Sequence, residues 1–139
     1  MIVLRSIPLL AFPTLVYALI AIPMSVEEVR ATLDAPFFTM ALPSGDVWTP
    51  EWGHVLTAAS AILLMVEVVK SARAATSSLI ENALALLLFT LQLILFLLVG
   101  GFGTTDFAAI MTMTLIDFMA GAMVMIYSSR RDVQYNVQH

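Results

Sequence analysis

Four runs of this chain are each long enough to cross a lipid bilayer and hold almost no charge. A membrane-spanning helix needs roughly 20 mostly apolar residues. Inside hydrocarbon every backbone N–H and C=O must find a partner within the segment, so such runs fold as helices. They lie at about residues 6–24, 50–69, 79–99 and 106–127. Of the 139 residues, 60% are hydrophobic and 12% charged, whereas a soluble domain carries about 25% charged residues. The expected fold is an all-α membrane protein. Its single domain, residues 1–139, holds four transmembrane helices in an antiparallel bundle. Cysteine is absent, which removes disulfides, thiolate catalysis and Cys-ligated metals. A net charge of −4 with no basic stripe argues against nucleic acid.

Each run has recognisable ends. The first lies between Arg5 and Glu27 and contains Pro8, Pro13 and Pro23, which predicts a kink near Pro13. It reads as a span rather than a cleaved leader, because no A-x-A-like site precedes Met24. The second opens with Thr49-Pro50-Glu51, a natural N-cap followed by a natural first helical residue. The third opens with the capping-box pattern Ser78-Leu79-Ile80-Glu81 and stops at Gly100-Gly101. The fourth runs from about Asp106 to Tyr127, before Arg130-Arg131. Arg5, Lys70, Arg73, Arg130 and Arg131 fall on one side of this arrangement and Arg30 on the other. The positive-inside rule then places both termini in the cytoplasm and residues 25–49 outside.

That external loop is patterned. Ser25-Val26-Glu27-Glu28 is a second capping box, with Val26, Val29 and Leu33 on one face, so a short surface helix is expected. Two β-prone runs around Pro43-Ser44-Gly45-Asp46 read as a hairpin. Phe37, Phe38, Trp48 and Trp52 then lie at headgroup depth, either as an aromatic belt on lipid or as a docking surface for a partner.

Polar residues inside the spans are the candidate functional groups. Asp117 lies about halfway along the fourth run, with no Lys, Arg or His expected at its depth. A charge there is expensive, so the carboxyl is either protonated and hydrogen-bonded or matched by a group from outside the chain. Asp106 shares its helical face. Gln92, midway along the third run, or a threonine is the expected hydrogen-bond partner of a protonated Asp117. Glu67, in the last turn of the second, is expected to form an interfacial pair with Lys70. His54 stands near Glu51, and a lone histidine beside acids is a weak metal signal, so no metal site is assigned. No cofactor is evident. A lipid, quinone or pigment between helices would meet Phe89, Phe96, Phe102 and Phe118. No G-x-S-x-G, H-E-x-x-H or Gly-rich phosphate loop is present, so an enzyme is not expected.

The motifs Leu42-Pro43-Ser44-Gly45 with Trp48, Glu67-x-x-Lys70, Leu115-Ile116-Asp117-x-x-Ala120-Gly121 and Arg130-Arg131-Asp132 resemble a family of small bacterial four-span inner-membrane proteins. The resemblance implies that topology and a bacterial inner membrane, and no activity. Small multidrug transporters share the size but rely on an acid in the first span, and none stands between Arg5 and Glu27. Two functions fit these features. One is an accessory, structural or assembly subunit of a larger bacterial membrane complex, in contact with other membrane subunits and lipid. The other is a homo-oligomeric proton- or cation-coupled transporter or channel using Asp117.

Overall fold

A computed structural model describes residues 7–73 and 79–136. Helix α1 covers Ala11–Ala21 and α2 Val26–Leu33. A two-stranded antiparallel hairpin follows, β1 Met40–Ala41 with β2 Val47–Trp48. Three long helices complete the chain: α3 Trp52–Arg73, α4 Leu79–Leu98 and α5 Thr105–Asn136. Each of these three contains a stretch long and apolar enough to cross a membrane: Trp52–Ser71, Leu79–Leu98 and Thr105–Tyr127.

Helix α5 is the centre of the bundle. It packs along both α3 and α4, which scarcely touch each other. Thr57 of α3 bonds Asp106 near the start of α5, while Glu67 and Ser71 share a cavity with Asp117 and Gly121 further on. These two helices therefore run parallel. Glu81 and Asn82, at the start of α4, line that same cavity, so α4 runs opposite to both. The short loop after Leu98 reverses the chain, and at its tip Gly101 adopts φ +87°. That conformation favours glycine, and a Cβ there would also lie in tight contact, 3.3 Å from Val29 Cγ2.

Helix α1 has 11 residues, roughly 16 Å of rise, against a hydrocarbon core of about 30 Å. It is shorter than the helix expected over 6–24. Its prolines explain the length. Pro8 stands in the preceding turn, Pro13 falls in the first helical turn, where no N–H is needed, and Pro23 follows the end. The kink expected near Pro13 is thus a helix start. Leu9 nonetheless lies beside Glu67 at one end of the bundle, and Ala21 lies under Gly101 at the other.

The most tightly packed region is at the hairpin end. Tyr17, Ala21, Val29, Leu33, Phe102, Phe107 and Ile110 form one buried cluster. Tyr17 and Phe107 meet with ring centroids 4.8 Å apart, and Phe102 touches both rings, at 5.4 and 5.0 Å. Helix α2 seals this cluster with Val29 and Leu33. It carries the expected capping box: Ser25 Oγ accepts the Glu28 N–H, and the Glu28 carboxylate accepts the Ser25 N–H. The hairpin is also as expected, with Met40 opposite Trp48 and Ala41 opposite Val47.

Helix α3 begins at Trp52 rather than at Pro50. The hairpin takes the backbone groups that would have opened the helix: Pro36 bridges Glu51, Phe37 N–H donates to the Pro50 carbonyl, and Trp52 N–H donates to Ala35. Helix α5 continues beyond its apolar stretch, through Arg130 and Arg131 to Asn136. The capping residue expected at Ser78, the basic start at Arg5 and the last three residues lie outside the described part of the chain.

Candidate functional site

Three polar clasps hold α1 to the rest of the bundle. At the end remote from the hairpin, Glu67 reaches from α3 and accepts the Leu9 N–H with both oxygens, at 3.1 and 2.9 Å. Leu9 sits just ahead of α1, where backbone N–H groups have no intrahelical acceptor, so Glu67 acts as a cap supplied by another helix. In the middle, Gln92 Nε2 of α4 donates to Thr14 Oγ1 at 2.6 Å, and Thr14 donates to the Leu10 carbonyl. At the hairpin end, Tyr17 Oη donates to the Gly101 carbonyl at 2.9 Å and shares a 2.6 Å hydrogen bond with Thr104. Each clasp links segments far apart in sequence.

These contacts change two expected pairings. Gln92 does not meet Asp117: its amide N–H goes to Thr14, and its Oε1 is buried without a partner among the described residues. An unmet acceptor of this kind costs about 1–3 kcal/mol. Glu67 is only 6% exposed, so it belongs to the interior rather than to an interfacial pair with Lys70 alone.

Asp117 is 7% exposed and lines a cavity of about 20 Å³ together with Glu67, Lys70, Glu81, Asn82 and Gly121. Lys70 lines this cavity beside Glu67 and Asp117. A cation of this chain therefore does stand at the depth of Asp117, contrary to expectation. The Oδ1 of Asn82 is buried and has no hydrogen-bond partner among the described residues.

The facing surfaces of α3 and α5 form a seam of small and polar residues. Gly53, Thr57, Ser60 and Glu67 on α3 face a side of α5 that holds Asp106, Thr114, Asp117 and Gly121. At Gly53 the backbone gives way to a side chain, since a Cβ there would lie 2.5 Å from Asp106 Oδ2. Small residues let helices approach closely where no hydrophobic force drives them together. Ser60 and Thr114 return their hydroxyls to their own helices, at Leu56 and Ile110.

A second polar region faces the hairpin side. Arg30, Asp34, Glu51, His54, Thr57 and Asp106 line an open cavity of about 570 Å³. His54 Nδ1 lies 3.8 Å from Glu51 Oε2, and both side chains are well exposed. Among the described residues no group of three or more acids and histidines is placed to hold a metal ion.

The four aromatics singled out in the loop do come together. Phe37 packs edge-on against Trp52 at 4.5 Å and against Phe38 at 5.6 Å, and Phe38 packs on Trp48 at 5.3 Å. All four remain about half exposed. Of the phenylalanines expected around a lipid, quinone or pigment, Phe102 is taken up in the core and Phe96 packs against it.

Tyr17, Phe107 and Thr14 carry the architecture yet were not singled out by sequence. A signal existed for Tyr17: a phenol inside an apolar run needs a partner for its hydroxyl. No family model matches the chain, and no curated protein or solved structure matches it.

Proposed function

We propose that this protein is an accessory, structural or assembly subunit of a larger bacterial inner-membrane complex. In this reading the chain crosses the bilayer four times with both termini in the cytoplasm. Supporting four crossings, α1 and the turn before it extend from Glu67 at one end of the bundle to Gly101 at the other. The concentration of Lys70, Arg73, Arg130 and Arg131 away from the hairpin supports the orientation.

The observation that carries the subunit reading is the uncovered aromatic row. Phe37, Phe38, Trp48 and Trp52 form a chain of ring contacts and are half exposed; Trp48 stands on the exposed strand β2, Phe37 and Phe38 just before β1, and Trp52 opens α3. A short hairpin is marginal alone in water, and aromatic residues are preferred anchors in protein interfaces. The apolar faces of α3, α4 and α5 add nothing to this argument, because lipid covers such faces by default.

Gentle solubilisation of native membranes, followed by mass spectrometry of what co-purifies, tests the proposal. A stoichiometric larger complex is expected, and it should be lost in a Phe38→Ala/Trp48→Ala variant at unchanged abundance. A homodimer alone would overturn the subunit reading. It would favour a homo-oligomeric proton- or cation-coupled transporter, a second reading supported by the carboxylates buried around Asp117.

A further inference from the structure

We propose that the cleft between Arg30 and the loop 100–104 binds the headgroup of an aminophospholipid. Its phosphate would lie on Arg30 and its ammonium toward the acids beside that arginine. The inference rests on the membrane-length helices and not on the subunit reading.

The cleft measures about 270 Å³ and opens where α4 ends, between α2 and the loop that follows Leu98. Its walls are of two kinds. On the bilayer side, Leu97 and Leu98 are 66% and 78% exposed and close the membrane-length stretch Leu79–Leu98. An acyl chain would run along them. At the mouth stand donors. Arg30 is the single Lys or Arg at the hairpin end among the described residues, and it forms no ion pair with them. Gly100, Gly101 and Gly103 also line the cleft, and their N–H groups have no acceptor among the described residues. Gly101 is itself buried, where an unpaired donor is costly. Arginine meets phosphate through two parallel N–H groups, and neighbouring backbone N–H groups form anion-binding hollows. A guanidinium and loop amides at the end of a membrane-length helix therefore match a lipid phosphodiester.

The adjoining cavity sets the headgroup. The open space of about 570 Å³ shares Arg30, Gly103 and Thr104 with the cleft. Asp34, Glu51 and Asp106 line it, with His54 as the other basic side chain. A headgroup that carried only negative charge would meet these carboxylates unfavourably. A phosphate linked to a primary ammonium satisfies both sides, since the ammonium can donate charged hydrogen bonds to carboxylates. The same arrangement gives a role to a basic residue at the end of the bundle that is otherwise poor in them.

The test uses the purified, delipidated full chain in detergent. It is titrated with phosphatidylethanolamine, with phosphatidylglycerol of the same acyl chains, or with inorganic phosphate. A saturable rise in melting temperature is expected with phosphatidylethanolamine, as for any ligand that binds the native state alone. Phosphatidylglycerol should bind more weakly, and inorganic phosphate should have no effect. Arg30→Gln should weaken phosphatidylethanolamine roughly tenfold or more, the loss expected of a charged hydrogen bond, with unchanged helicity and elution volume. Gly103→Asp should do the same by setting a carboxylate against the phosphate. That change is sterically open, because φ at Gly103 is not positive and a Cβ there meets nothing within 4 Å. If one variant does not fold, the other decides the matter. Equal affinity for the two lipids, or a preference for phosphatidylglycerol, would overturn the proposal. So would binding that Arg30→Gln leaves unchanged, which would show lipid coating the apolar helices only. A response to inorganic phosphate alone would also overturn it, as the mark of a free anion.

Discussion

Glu67 holds the N–H of Leu9 between its two carboxylate oxygens, 58 residues away along the chain. The contact ties the start of α1 to the middle helix of the sequence. Hydrogen bonds to charged groups are worth about 1.5–3 kcal/mol. Glu67→Ala should therefore destabilise the protein by about 2 kcal/mol and free the segment before α1. Glu67→Gln, which retains one acceptor oxygen, should cost less. Thermal unfolding in detergent, with labelling of a cysteine placed at position 9, measures both effects. Equal labelling in wild type and Glu67→Ala would contradict the clasp.

The pair Gln92–Thr14 should respond asymmetrically. Gln92 has one satisfied group and one orphan, so Gln92→Leu removes a hydrogen bond and a penalty together. Interhelical bonds in membranes average about 0.6 kcal/mol, and the net change should stay within about 1 kcal/mol. Thr14→Val removes the partner and leaves the fully buried amide with nothing to bond, at a cost of about 1–3 kcal/mol. Unfolding measurements that ranked Gln92→Leu as the more damaging change would contradict this geometry.

Gly53 and Asp106 are fitted to each other. Gly53→Ala forces a methyl group into the Asp106 carboxyl and should cost about 1–3 kcal/mol. Asp106→Ala opens that space while giving up the 3.3 Å bond from Thr57. The double variant should be more stable than the sum of the two changes predicts, by about 1 kcal/mol, because neighbours couple. A double-mutant cycle with strictly additive effects would count against close approach of α3 and α5 at this point.

The stability of α2 should fall in acid. The Ser25 N–H, then the Ser25 hydroxyl, hold the Glu28 carboxyl below the ordinary glutamate range. Because the folded helix prefers the ionised form, its stabilisation is complete above the ordinary value and disappears as pH drops through the lowered one. Hydrogen exchange of the α2 amides should accelerate over that interval. Glu28→Gln should remove the pH response, whereas Ser25→Ala, which keeps the backbone N–H, should weaken the cap by about 1 kcal/mol and leave much of that response in place. A wild-type exchange profile flat across the acid range would contradict the capping box.

Residues that act locally could be read from sequence, and residues that act at long range could not. Ser25 and Glu28 announce a helix start because the two reach each other across one turn. The turn Pro43-Ser44-Gly45-Asp46 announces a hairpin for the same reason. The three long apolar helices follow from length and composition alone. The partner of Gln92, by contrast, lies 78 residues away, and nothing in its neighbours points to Thr14 rather than Asp117. The approach of Lys70 to Asp117 depends on α3 and α5 running parallel, which the chain settles only by placing α4 between them. The start of α3 moved because the hairpin claimed the Pro50 carbonyl, a tertiary demand that overrides a good local cap.

Helix α5 follows α3 and α4 along the chain, yet those two meet mainly through it. Without α5, the described contacts join α3 and α4 only through α1, by Glu67 on Leu9 and Gln92 on Thr14. A chain cut before Thr105 should therefore keep three helices tethered by two polar contacts, with the long seam still to be closed.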